Sequence, residues 1–83
     1  MELKDTISMM TSDDYKERFK AEYYQVKIRH EKLIAMVNKW DSGELNFVPT
    51  CPRNLYDKQL AYMENYTDIL EQRAKLEGID LSD

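Results

Sequence analysis

The chain has 83 residues, 34% charged and 42% hydrophobic, with 2 Gly, 2 Pro, 1 Cys and 1 His, and a formal net charge of -4. A single cysteine and a single histidine exclude an intrachain disulfide and a Cys/His zinc set, two common supports for a core this small. The acidic balance argues against a duplex nucleic-acid surface, and no run approaches the ~20 apolar residues needed to cross a bilayer.

The first segment, from Glu2 to about Met10, sets Leu3, Ile7 and Met10 at helical spacing. Two turns do not hold alone in water, so this helix must pack on something larger. It carries acidic residues and no long apolar run, so no secretory signal is expected, and the lone cysteine then fits a reducing cytoplasm. Thr11 or Ser12 is the expected N-cap of the next helix, because either hydroxyl can accept from free backbone N–H groups.

The second segment spans Asp13 to about Trp40 with no Gly or Pro. Phe19, Val26, Leu33 and Trp40 recur every seven residues, and the adjoining seam reads Tyr15, Glu22, Arg29, Met36. Further strips hold Tyr23, His30, Ile34 and Val37, and then Tyr24, Ile28 and Ala35. This segment has seven basic residues against five acidic ones, a local balance of +2, so the remainder carries -6. Segregation of this kind can attract a neighbouring helix or offer an anion a basic pocket.

Asp41 to Cys51 is the connection, with Gly43 suited to a left-handed helix stop. Leu45, Phe47 and Val48 are expected to fold back over the end of the helix pair. The third segment runs from Pro52 to about Glu77, and Gly78-Ile79 reads as a helix end with an apolar clasp. One strip of it reads Leu55, Gln59, Tyr62, Tyr66, Ile69, Arg73, Leu76, and the other Tyr56, Leu60, Met63, Thr67, Leu70, Ala74.

Two long helices of similar length and a short loop predict an all-α single domain over 1–83: a short N-terminal helix plus a long antiparallel helical hairpin. Each long helix has more apolar strips than a hairpin can cover. The surplus predicts assembly into a homo-oligomer.

The residues carry no Ser/His/Asp set, no Gly-rich phosphate loop and no paired metal ligands, so neither enzymatic activity nor a cofactor is expected. His30 reads as a hydrogen-bonded histidine on an apolar strip. Cys51, at a helix start, reads as a packing or capping residue, since no base stands near it in the sequence. Glu22 and Arg29 interrupt the seam and suit register-setting contacts with residues such as Arg73 or Gln59, or a role against a ligand. The remaining feature is an abundance of aromatic and basic side chains: of six tyrosines, Tyr15, Tyr23, Tyr24 and Tyr66 lie on or next to seams where Arg or Lys also occurs. Aromatic faces stack on flat rings and cations hold phosphates, although tyrosine also serves ordinary helix contacts.

The run Tyr15, Arg18, Glu22, Lys32-Leu33, Val37 and then Gln59-Leu60, Met63, Tyr66, Leu70, Arg73 resembles a family of short phage proteins related to a crAss-like phage gene product. That family is similar to the helical-hairpin sponges with which phages blunt CBASS and Thoeris immunity, and the resemblance spans about Asp14 to Leu76. It implies a phage-encoded protein in the cytoplasm of the infected bacterium. Such a protein binds cyclic di- or trinucleotides or cyclic ADP-ribose-type signals without cleaving them. It also implies a compact homo-oligomer, commonly a hexamer, with ligand pockets between subunits. Carried onto this sequence, it suggests Tyr15 for base stacking and Arg18, Arg29, Lys32 and Arg73 for phosphates. Gln59, Tyr66 and Thr67 are suggested for bases or sugars, and Glu22 for orienting an arginine. The other reading the sequence allows is a phage inhibitor or adaptor that docks a helical face on a host protein.

Overall fold

The computed structural model describes residues 1–82. It holds a 3-10 turn, Leu3–Thr6, a single turn of helix, α1, Ile7–Met10, and two long helices, α2, Tyr15–Asp41, and α3, Arg53–Glu77. No strand occurs among the described residues, so the chain is all-α.

The first segment differs from the expected helix over 2–10. Its opening turn is the tighter 3-10 form, in which residues three apart eclipse. The inward face is therefore Leu3, Thr6 and Met9, while Ile7 and Met10 stay exposed. Thr6 is fully buried and remains satisfied, since its hydroxyl donates to the Leu3 carbonyl at 2.7 Å and accepts from Gln25 Nε2 at 3.0 Å.

α2 begins at Tyr15, and its N-cap is Asp14 in place of Thr11 or Ser12. The Asp14 carboxylate accepts from the Lys16 N–H at 2.9 Å, where negative charge also meets the positive helix end. The Ser12 hydroxyl supports the cap by accepting from the Asp14 N–H at 3.1 Å. α3 ends as its sequence predicts: Gly78 takes φ +68, the Ile79 N–H reaches the Ala74 carbonyl at 2.8 Å, and the Ile79 side chain is buried.

Contacts between α2 and α3 run in opposite order along the two helices, so the pair is antiparallel. Tyr15 meets Glu77, Tyr23 meets Glu71, Glu22 meets Tyr66, and Asp41 meets Arg53. Phe19, Tyr23, Tyr24 and Ile28 of α2 pack with Leu70 and Ala74 of α3 and with Ile79, flanked by Leu3, Met9 and Leu81. The core thus gathers at one end, where both chain termini add cover to the helix pair.

The loop end closes differently from expectation. Leu45 is half-buried, but Phe47 is exposed and Val48 is 90% exposed. Arg53 occupies that end in their place. It pairs with Asp41 at 2.6 Å and Asp57 at 3.0 Å, and lies 5.2 Å from the Trp40 ring, whose edge meets Tyr56. Planar guanidinium stacking and a bidentate carboxylate contact close the Arg53 side of that end, while Trp40, Leu45, Phe47 and Val48 line an open hollow of about 230 Å³ beside it.

Of the two strips on α3, Leu70 and Ala74 of the inner one are buried and the rest half-buried. Every residue of the outer strip is exposed, Tyr62 by 71% and Leu76 by 89%. The radius of gyration is 15.0 Å, against about 12 Å for a compact chain of this length.

Candidate ligand-binding groove

Five of the eight residues proposed from sequence fall into two groups on α2 and α3. Tyr15 and Arg73 belong to the core end. The Tyr15 hydroxyl donates to Glu77 Oε1 at 2.6 Å and accepts from Arg73 at 3.1 Å, while Arg73 also pairs with Glu77 at 3.2 Å. The Arg73 guanidinium covers the Phe19 ring at 5.0 Å. The hydrogen bond to Glu77 holds the Tyr15 phenol above its ordinary value, and the same bond pulls the Glu77 carboxyl below the ordinary range.

Arg29, Lys32 and Gln59 form the second group. They line a groove of about 370 Å³ together with Leu33, Met36, Met63 and Leu3. α2 contributes Arg29, Lys32, Leu33 and Met36 to its lining, α3 Gln59 and Met63, and the N-terminal turn Leu3. It continues past Lys32 and Met36 into a depression of about 270 Å³ that reaches Lys39 and Phe47. On the far side of Gln59 and Met63 lies an apolar cleft of about 430 Å³ on the outer strip, between Leu55, Tyr62 and Tyr66.

What separates the two groups is charge compensation. Arg73, Arg53 and Lys20 pair with carboxylates, Arg18 donates to the Ser12 carbonyl at 2.8 Å, and Lys16 to the Gly78 carbonyl at 3.3 Å. Among the described residues, Arg29, Lys32 and Lys39 have neither an ion pair nor a side-chain hydrogen bond, a property they share with Lys27, Lys58 and Lys75, which lie outside this groove. The first three occur at helical spacing on one side of α2, and Glu44 lines the depression beside Lys32 and Lys39 without pairing with either.

Two sequence assignments change, those of Glu22 and Cys51. Glu22 accepts the Tyr66 hydroxyl rather than orienting an arginine, and this contact raises the Tyr66 phenol above its ordinary value. Thr67 lies on the inner strip and donates to the Glu64 carbonyl at 2.9 Å, apart from the groove. Cys51 is exposed, and Pro52 stands at the N-cap of α3. Lys39 was not among the proposed residues; its seven-residue spacing from Lys32 was the signal.

A helix pair that buries one end and leaves a groove with Arg29 and Lys32 and an apolar strip open defines a small helical protein. The chain belongs to the Sequestin family, whose model matches residues 13–76. That stretch contains the groove residues of α2 and α3, and leaves out Leu3 and the rest of the N-terminal segment. Comparison with curated proteins and with solved structures finds no match.

Proposed function

We propose that this protein sequesters an anionic cyclic nucleotide, a cyclic di- or trinucleotide or a cyclic ADP-ribose-type signal, and releases it chemically unchanged. The family name speaks of sequestration. The observation that carries the ligand class is the groove in which Arg29 and Lys32, neither of them in an ion pair, share a lining with Gln59. Cations meet the phosphates, Gln59 offers an amide donor and acceptor to a base edge, and Met36 and Met63 give the ring an adaptable apolar surface. Holding a ligand stoichiometrically requires no nucleophile, general base or metal.

In this reading the protein is phage-encoded and acts in the cytoplasm of the infected bacterium, starving a CBASS- or Thoeris-type effector of its activator. The unit is a helical hairpin that assembles into a homo-oligomer, hexameric if it follows the sponges, with ligands held where chains meet. The elongated shape and the exposed α3 strip support assembly. A thermal-shift panel with cyclic di-AMP, cyclic tri-AMP and glycocyclic ADP-ribose tests the ligand class. A rise in Tm with one of them, abolished by Arg29→Ala, supports it. The exposed strip also favours a second reading, an adaptor that docks this face on a host protein, for which no panel member changes Tm.

A further inference from the structure

The end of α2 sets the course of the chain after it. Gly43 takes φ +75, its N–H reaches the Trp40 carbonyl at 3.1 Å, and the Glu44 N–H reaches the Lys39 carbonyl at 2.9 Å. This pair of bonds is a Schellman end, which turns the backbone against the last helical turn. Glu44, Asn46 and Phe47 therefore return beside Lys32, Met36 and Lys39, and together they line the depression of about 270 Å³. Among the described residues, Lys39, Glu44 and Asn46 have no ion pair. Phe47 is 54% exposed and stacks on no other ring.

The charges in this hollow decide what fits it. Lys32 and Lys39 suit a phosphate, but the Glu44 carboxylate and the negative end of α2 oppose one. The volume also falls short of the roughly 300–1,000 Å³ that hold a whole drug-sized ligand, and suits one ring of a larger molecule. A flat base meets the same surroundings well. Phe47 offers a face for stacking, Glu44 only accepts hydrogen bonds, and Lys39 only donates them. The complementary edge has two adjacent donors beside an acceptor. Guanine presents that set in its N1–H, its N2 amino group and O6. Adenine would bring its amino group against the Lys39 ammonium, donor against donor, and uracil has a single N–H between two carbonyls.

We propose that the depression at the end of α2 is a guanine subsite: Phe47 stacks on the ring, Glu44 accepts from N1–H and the N2 amino group, and Lys39 donates to O6. The phosphates stay in the groove with Arg29 and Lys32. Lys32 and Met36 line both hollows, so a single ligand reaches from one into the other within one chain. The subsite rests on the cyclic-nucleotide reading above and adds to it the base that is preferred.

Titration calorimetry with cyclic GMP–AMP and identically linked cyclic di-AMP tests the subsite, because the two ligands differ in one base. Cyclic GMP–AMP is expected to bind at least about tenfold tighter, the smaller end of what one bidentate base contact discriminates. Glu44→Gln replaces two acceptors by an acceptor and a donor side by side, the pattern that reads adenine. The variant is expected to lose about tenfold for cyclic GMP–AMP and to gain for cyclic di-AMP, with Tm and helical circular dichroism unchanged. Equal affinity of the unaltered protein for both ligands overturns the subsite and leaves the cyclic-nucleotide reading standing. So does a Glu44→Gln variant that weakens both alike, which is what a merely structural role gives. No heat from either ligand also overturns the subsite, and the thermal-shift panel then decides the functional reading by itself.

Discussion

Arg29 of α2 and Gln59 of α3 face one groove across the helix pair, and Arg29 has no carboxylate to pair with. Removing a charged partner from a bound phosphate costs about 1.5–3 kcal/mol, roughly 10- to 100-fold in affinity. Arg29→Ala or Lys32→Ala is expected to weaken ligand binding by that factor in titration calorimetry, with little change in Tm. Arg18→Ala is the contrasting control. It loses its contact with the Ser12 carbonyl and leaves binding nearly intact.

Neighbouring positions on α3 are expected to behave oppositely. Leu70 is 1% exposed and central to the core, so Leu70→Ala should cost about 2–5 kcal/mol in denaturant unfolding. Ile69→Ala, on the exposed strip, should leave the fold intact and weaken self-association in light scattering. At the helix end, Gly78 holds φ +68, so Gly78→Ala should lose about 1 kcal/mol without any steric clash.

Much of this was legible from the spacing of side chains. All-α content, the boundaries of α3, the left-handed Gly43 and Gly78 and the unburied strip follow from local pattern, because capping and periodicity act within a few residues. The N-terminal segment was misjudged because a 3-10 turn shifts the inward face by a residue, and no propensity signals that. The loop residues Phe47 and Val48 were misplaced because Arg53 closes the end through Asp41 and Trp40, a contact between distant parts of the sequence. For the same reason the site residues could be named but not grouped. Which cations lack partners depends on tertiary neighbours, and this distinction separates Arg29 and Lys32 from Arg18 and Arg73.

Tyr66 and Glu22 predict a pH dependence. The hydrogen bond to the carboxylate, then burial, raise the folded-state value of the phenol. Its contribution to stability is therefore complete below the unfolded value of about 10 and is lost as pH rises through the higher folded value. Glu22→Gln removes the charge that opposes the tyrosinate. Near-ultraviolet absorbance titration should show one tyrosine of the variant ionising at lower pH than in the unaltered protein.

Titration calorimetry with cyclic di-AMP, cyclic tri-AMP and glycocyclic ADP-ribose, followed by chromatography of the ligand, tests the central claim most directly. The account predicts saturable binding of at least one of them with a micromolar or tighter Kd, recovery of the ligand unchanged, and loss of binding in an Arg29→Ala, Lys32→Ala double variant that keeps its helical circular dichroism. No heat with any of the three, or undiminished binding by that folded double variant, would contradict it.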